Sequence, residues 1–170
     1  MTDTAIELDR SVTTAKKTKV TVTATPLATD PWVSFAMKAD YPDQGGKQEG
    51  EKLKFDARAG EFDLTFELDD ETDLKLAFYP TPADAMWVAV GTTDPDQPGF
   101  ANGAITPVSV TGKKLVVTNA NFIAETLTFI LRFSGTASSG GHPPYVYDPE
   151  IVNGGGKNLE HDEEQGEDCE

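Results

Sequence analysis

Apolar and polar residues alternate one by one in several parts of this chain. The clearest run covers residues 62–68, and the same period returns at 74–78 after an acidic turn and again at 127–133. A period of two places the apolar residues on one face of a pleated strand and the polar residues on the other. The pattern therefore predicts half-buried strands, and it predicts that residues 62–68 and 74–78 pair as a β-hairpin.

Two further runs, residues 32–37 and 85–90, are apolar at almost every position. Such a run indicates a strand in the middle of a sheet, or one whose outer face is covered. Other short alternating or apolar runs predict strands at 4–8, 18–24, 53–57, 105–110, 115–118 and 145–147.

The predicted strands recur at intervals of about 8–12 residues, with Gly, Pro, Asn and Asp turn residues between them. No stretch has the 3.6-residue period of an amphipathic helix. This pattern predicts an all-β fold, an antiparallel β-sandwich of about 8–10 strands. Because the connections vary in length, as Greek-key crossings require, we expect the sandwich to be immunoglobulin-like.

The sandwich domain is predicted to occupy residues 18–155, after a partly ordered N-terminal segment at 1–17. Residues 154–156 are three glycines, and seven acidic side chains with no Lys or Arg lie between residues 160 and 170. So few apolar groups cannot offset the entropy of ordering the chain. Residues 156–170 are therefore predicted to be a disordered acidic tail that folding does not need.

The formal net charge of the chain is −15. Nucleic-acid binding depends on Lys and Arg neutralising phosphates, so this charge argues against a nucleic-acid partner, and equally against an anionic membrane. The sequence starts without a signal-peptide pattern and contains no apolar run of about 18 residues. We therefore expect a cytoplasmic protein. The single cysteine, Cys169, excludes an intramolecular disulfide.

Two segments of the sequence are similar to segments of known proteins. One runs from Phe66 through the acidic turn to Phe78, and the other is the ending Tyr147-Asp148-Pro149-Glu150-Ile151-Val152-Asn153. Together they resemble small uncharacterised bacterial single-domain β-sandwich proteins that end in a YDPxIxN-like strand. The resemblance covers roughly residues 18–155. It implies the sandwich fold and a bacterial origin, and it carries over no activity.

Few residues suit catalysis. The two histidines are His142, in a Gly/Pro loop, and His161, in the acidic tail. A nucleophilic site needs a histidine held rigidly beside its nucleophile, and the acids around Cys169 disfavour a thiolate. With so few Cys and His residues, a zinc site is not expected. A hydrolase that uses a carboxylate pair is the third-ranked function, because acids are abundant but their pairing depends on geometry.

The acidic turn after residue 68 offers a different chemistry. Asp69, Asp70 and Asp73 crowd one tip, and Ca²⁺ prefers several carboxylate and carbonyl oxygens. These three residues are the calcium candidates, the one cofactor that the sequence suggests. The alternative is that they are solvated turn residues that cap backbone groups and block edge pairing.

Four aromatic residues are candidates for ligand or interface contacts. Trp32 and Trp87 lie in the two runs that are apolar on both faces, and they are either core residues or part of a stacking platform or subunit interface. Tyr145 and Tyr147 follow Pro143-Pro144 in an end strand, and we expect both to be exposed.

Taken together, these patterns predict a non-enzymatic bacterial β-sandwich that works by binding or self-assembly. Its expected partner is a protein, including a second copy of itself in a weak homodimer that buries Trp32 or Trp87. The alternative is a calcium-dependent carbohydrate-binding or adhesive module.

Overall fold

The computed structural model describes residues 16–42, 45–137 and 141–155. The predicted strand at 4–8 and the acidic tail at 156–170 lie outside these residues, so the proposed domain limits stay a prediction. The described strands are β1 (Lys16–Pro26), β2 (Val33–Asp40), β3 (Gly46–Glu49), β4 (Lys52–Phe55), β5 (Phe62–Asp70), β6 (Ala77–Phe78), β7 (Met86–Val90), β8 (Ile105–Thr111), β9 (Lys114–Asn119), β10 (Glu125–Ser134), β11 (Tyr145–Tyr147) and β12 (Glu150–Asn153). One helical turn, α1 (Pro82–Ala85), and a 3₁₀ turn, Ala101–Gly103, complete the elements.

The strands form two sheets. Sheet A has the order β2-β1-β5-β9-β8, and β1 runs parallel to β5. Sheet B is built around β10, which pairs with β12 and β11 along one edge and with β7 and β6 along the other. It continues through β4, which is parallel to β12, to β3.

The two sheets pack face to face over one hydrophobic core. The alternating residues of β5 are buried as the pattern predicted, and the Phe66 ring meets the Phe129 ring of β10 with centroids 5.7 Å apart. Phe55 of sheet B and Phe62 of sheet A make a second contact between the sheets, at 4.7 Å. The predicted all-β sandwich is confirmed, although each sheet includes a parallel pair and is therefore mixed. Its immunoglobulin-like character stays a prediction.

The hairpin predicted from residues 62–68 and 74–78 is wrong. β5 lies in sheet A, whereas β6 pairs with Phe133 and Ser134 of β10 in sheet B, so the acidic turn carries the chain from one sheet to the other. The strands predicted at 105–110 and 115–118 are confirmed as β8 and β9, which pair with each other as an antiparallel hairpin.

The strand predicted at 32–37 is an edge strand and not a central one. Among the described strands β2 pairs with β1 alone, and its outward-facing residues Ser34, Ala36 and Lys38 are exposed. At its far end the side chain of Gln48 from β3 takes the place of a neighbouring strand. The Gln48 Oε1 atom accepts a hydrogen bond from the Ala39 N–H at 2.7 Å, and Nε2 donates to the Met37 carbonyl at 3.0 Å.

Three buried asparagines close one end of the sandwich, which we call the asparagine end. The amides of Asn119 in sheet A and Asn153 in sheet B exchange two hydrogen bonds of 2.9 Å. Asn121 donates to the carbonyls of Asp56 and Gly60 and accepts from the Gly155 N–H. A buried polar side chain is tolerated only with such partners, and this network ties the ends of both sheets together.

Candidate binding surface around Trp32

Trp32 lies in the turn between β1 and β2, at the end of the sandwich opposite the asparagine end. The turn is closed by hydrogen bonds from the Leu27 N–H to the Trp32 carbonyl, 2.9 Å, and from the Trp32 N–H to the Thr29 carbonyl, 2.8 Å. The backbone φ of Trp32 is 76°, in the left-handed region that a bulky residue rarely adopts. Because such conformations cost free energy, they concentrate where a side chain must be presented in one particular way.

Trp32 separates two open cavities. A cavity of about 340 Å³ lies on one side, between β2 and the segment before β11. A cavity of about 290 Å³ lies on the other side, against the acidic turn. The first is lined by Asp30, Trp32, Phe35, His142, Pro144 and Val146. The second is lined by Pro26, Leu27, Trp32, Thr72, Asp73 and Leu74.

The position of the indole is fixed by Gly141. A Cβ atom at this glycine would lie 3.0 Å from Cβ, Cγ and Cδ1 of Trp32. The indole therefore packs directly on the backbone of Gly141, in the segment that leads into β11 of sheet B. The surrounding surface mixes apolar and polar groups. Leu27 and Val146 are 39% and 43% exposed, and the polar residues of the two cavities are Asp30, Thr72, Asp73 and His142. Clefts that combine aromatic and apolar side chains with a few polar groups are typical of binding sites.

Trp87 has a different environment. It lies on the outer face of β7, half-buried, and its Nε1–H donates to the Ala83 carbonyl at 2.9 Å. The Arg132 guanidinium stacks over its ring, 4.4 Å from the centroid, and Arg132 also donates to the Asp84 carbonyl. One face of this indole is therefore occupied by the protein's own cation, so Trp87 is a less accessible candidate than Trp32.

Tyr145 and Tyr147 are buried, with exposures of 5% and 6%, so the expectation that they are exposed is wrong. Both point into the core from β11, where the Tyr147 ring stacks on Phe35 at 5.6 Å. The period of two was right but the choice of face was not, because Val146, between them, is the exposed residue. Their hydroxyl groups bond to the Thr136 carbonyl and to the Glu51 carboxylate.

The three calcium candidates are not equivalent in the fold. Asp69 and Asp73 are exposed, whereas Asp70 is half-buried and binds its own turn. Asp70 Oδ1 accepts hydrogen bonds from the N–H and hydroxyl of Thr72, and Oδ2 accepts from the Leu76 N–H at 2.9 Å. Burial acts to raise the pKa of Asp70, but these hydrogen bonds outweigh it, so the pKa is lowered. Within residues 16–42, 45–137 and 141–155, no three or more His, Cys, Asp or Glu side chains are grouped to hold a metal ion. Calcium binding stays a prediction.

An acidic pair that the sequence pattern does not reveal lies at the junction of β11 and β12. Asp148 breaks the strand between β11 and β12, and its carboxyl group bonds to that of Asp94 from the loop after β7. Burial, then the hydrogen bond and charge of Asp94, and then the charge of Glu51 raise the pKa of Asp148.

A second apolar patch lies beside the asparagine end. Val90, Phe122 and Ile123 are 58%, 50% and 60% exposed, and they border a cavity of about 170 Å³. The alternating pattern does not reveal this patch, and its one signal in the sequence is the apolar pair Phe122-Ile123 in a turn between two strands.

Comparison with known proteins identifies no family. No protein-family model matches the chain, and no curated protein matches it. Among solved structures, the crystal structure of the inclusion body protein PixA from Burkholderia cenocepacia J2315 aligns with 82% of this chain and 96% of that chain. The sequence identity is 10% and the TM-score is 0.43. Such a TM-score carries no information about function.

Among the described residues, no helix is long and apolar enough to cross a membrane.

Proposed function

We propose that this protein is a non-enzymatic binding module of bacterial type, and that it self-associates through the surface around Trp32. The observation that carries the proposal is the presentation of this indole. It is half-buried between two open cavities, on a backbone with a φ of 76°, and it packs against Gly141. Tryptophan is among the residues most often found as interface anchors, and an indole held between two open recesses can contact a partner on both sides.

The partner that we propose is a second copy of the chain. The net charge of −15 makes two copies repel each other. Added salt shortens the Debye length to about 8 Å at physiological ionic strength and relaxes that repulsion. An apolar contact between acidic molecules is therefore expected to be weak at low salt and to strengthen as salt is added.

The test is static light scattering of the full chain across a series of protein and salt concentrations. We expect a monomer–dimer equilibrium that shifts toward the dimer with salt. Trp32→Ala should reduce association by about tenfold or more, the loss typical of an interface anchor.

Trp87→Ala and Phe122→Ala are the controls, one for loss of a tryptophan and one for the second apolar patch. Both should fold and associate like the original chain. A strict monomer at every salt and protein concentration would contradict self-association. If Trp32→Ala folds and associates normally, the Trp32 surface is not the interface.

A further inference from the structure

Sheet edges are where one chain most easily pairs with another, because an edge strand presents unpaired N–H and C=O groups. Most edges among the described strands are protected. Pro107 and a break in register interrupt β8, and β3 has only four residues, including Lys47 and Glu49. In β7, the Val88 N–H donates to the Gly99 carbonyl, so a loop lies along that edge. β6 and β11 have two and three residues.

β2 is protected along only half of its length. The hydrogen bonds of Gln48 to Ala39 and Met37 show that the backbone groups of the odd-numbered residues point away from β1. In an antiparallel strand the N–H and C=O of one residue point to the same side, and the side alternates along the strand. The N–H and C=O groups of Val33 and Phe35 therefore also point outward, beyond the reach of Gln48.

The outward edge at Val33 and Phe35 borders the 340 Å³ cavity beside Trp32. No hydrogen bond links these outward groups to another residue of the described ranges. Residues 31–39 include no Asp or Glu and one lysine, Lys38, in a chain with 29 acidic residues. This stretch is therefore an open strand edge at which two acidic molecules repel each other least.

We infer that two copies of the chain pair antiparallel through the Val33–Phe35 edge of β2 and so join their A sheets. This inference rests on the proposed self-association. The register of this pairing follows from which backbone N–H and C=O groups of β2 are available. Pairing Val33 with Phe35 of the other copy uses four backbone hydrogen bonds and leaves the Met37 carbonyl with Gln48. The two-fold axis then passes at Ser34, and the two Ser34 side chains lie opposite each other on the exposed face.

The same register explains the role of Trp32. It sets the backbone of Trp32 in one copy opposite Ala36 of the other, so a Trp32 surface lies at each end of the paired edge. Edge pairing of a few residues buries less area than a standard stable interface, so the dimer is weak and its strength depends on the aromatic contact.

The experiment is a charge swap at the two-fold axis. Ser34 is exposed, so Ser34→Glu and Ser34→Lys should both fold, which thermal melts verify. Each variant alone places like charges opposite each other and should weaken dimerisation by about tenfold or more. An equimolar mixture of the two pairs opposite charges, and its association should return to within about threefold of the original chain.

Val108→Glu and Val108→Lys are matched controls, because Val108 is 59% exposed on the opposite edge of sheet A and the changes in net charge are the same. Neither control should respond to mixing. If both Ser34 variants alone associate like the original chain, or if mixing restores nothing, strand pairing is overturned. In that case a loss of association in Trp32→Ala still supports the proposed function. A monomeric original chain overturns both proposals.

Discussion

Phe66 and Phe129 occupy the middle of the two clearest alternating runs, and both are fully buried where the sheets meet. Replacing either with alanine leaves a cavity that the sheets cannot close without moving. We expect Phe66→Ala and Phe129→Ala each to lower the free energy of unfolding by about 3–5 kcal/mol, measured by urea denaturation.

Because the two rings touch, the double variant should lose less than the total of the single losses. Val108→Ala, at an exposed position, is the control and should change the free energy of unfolding by less than about 0.5 kcal/mol. Losses below about 1.5 kcal/mol at both phenylalanines would show that the buried face is assigned wrongly.

The ionised carboxylate of Asp148 destabilises the native state at neutral pH. Its pKa is raised by burial, by the hydrogen bond and charge of Asp94, and by Glu51, so the native state holds this proton more tightly than the unfolded chain does. The destabilisation by Asp148 is absent below the pKa of an unfolded aspartate, about 3.9, because the group is protonated in both states there. It grows as the pH rises through the native pKa and is complete above it.

We therefore expect Asp148→Asn to raise the melting temperature at pH 7. Because Asp148 is partly accessible to solvent, the rise should be small, about 1–3 °C. The rise should disappear near pH 3. Glu71→Asn, an exposed acid in the turn after β5, is the control for net charge. An equal rise at pH 3 and pH 7 would mean that the effect does not come from this carboxyl group.

At the scale of the element, strands were predictable from their own residues and their partners were not. Residues 74–78 alternate in the same way whether they return beside β5 or cross to the other sheet. The choice is made by β10, more than fifty residues later, whose Phe133 and Ser134 pair with β6. The apolar run at 32–37 likewise cannot show that β2 has a neighbour on one side only.

The same limit applies to the candidate surface. Trp32 could be singled out from the sequence because it lies in an apolar run. Its cavities could not, because their walls come from β2, from the turn after β5 and from residues 141–146. Tyr145 and Tyr147 were assigned to the wrong face for a related reason, since Phe35 of a distant strand covers Tyr147.

At the scale of the whole molecule, the asparagine network holds Gly155, the last residue that the structure describes. The Gly155 N–H bonds to Asn121, and its carbonyl accepts the Arg58 N–H at 2.7 Å. A chain that stops after Gly155 keeps these contacts, and residues 156–170 offer little apolar surface. We expect this truncation to change the melting temperature by no more than a degree or two.

Stopping three residues earlier, after Val152, is the matched comparison. It removes Asn153 and leaves the buried Nδ2 group of Asn119 without its acceptor. An unsatisfied buried amide costs about 1–3 kcal/mol, so this shorter chain should melt several degrees lower. A large loss from the first truncation would show that residues after Gly155 contribute to the fold.

The position of β12 also determines when the protein can fold during synthesis. This strand is made after the other described strands of sheet B, yet it lies inside that sheet, between β10 and β4. Until residues 150–153 leave the ribosome, β4 and β3 have no sheet to join, and residues 125–128 of β10 lack their partner on that edge. Pairings between residues so far apart in sequence form slowly. The nascent chain therefore carries unpaired strands until β12 has been made, and chaperones that cover exposed strand edges would act in that interval.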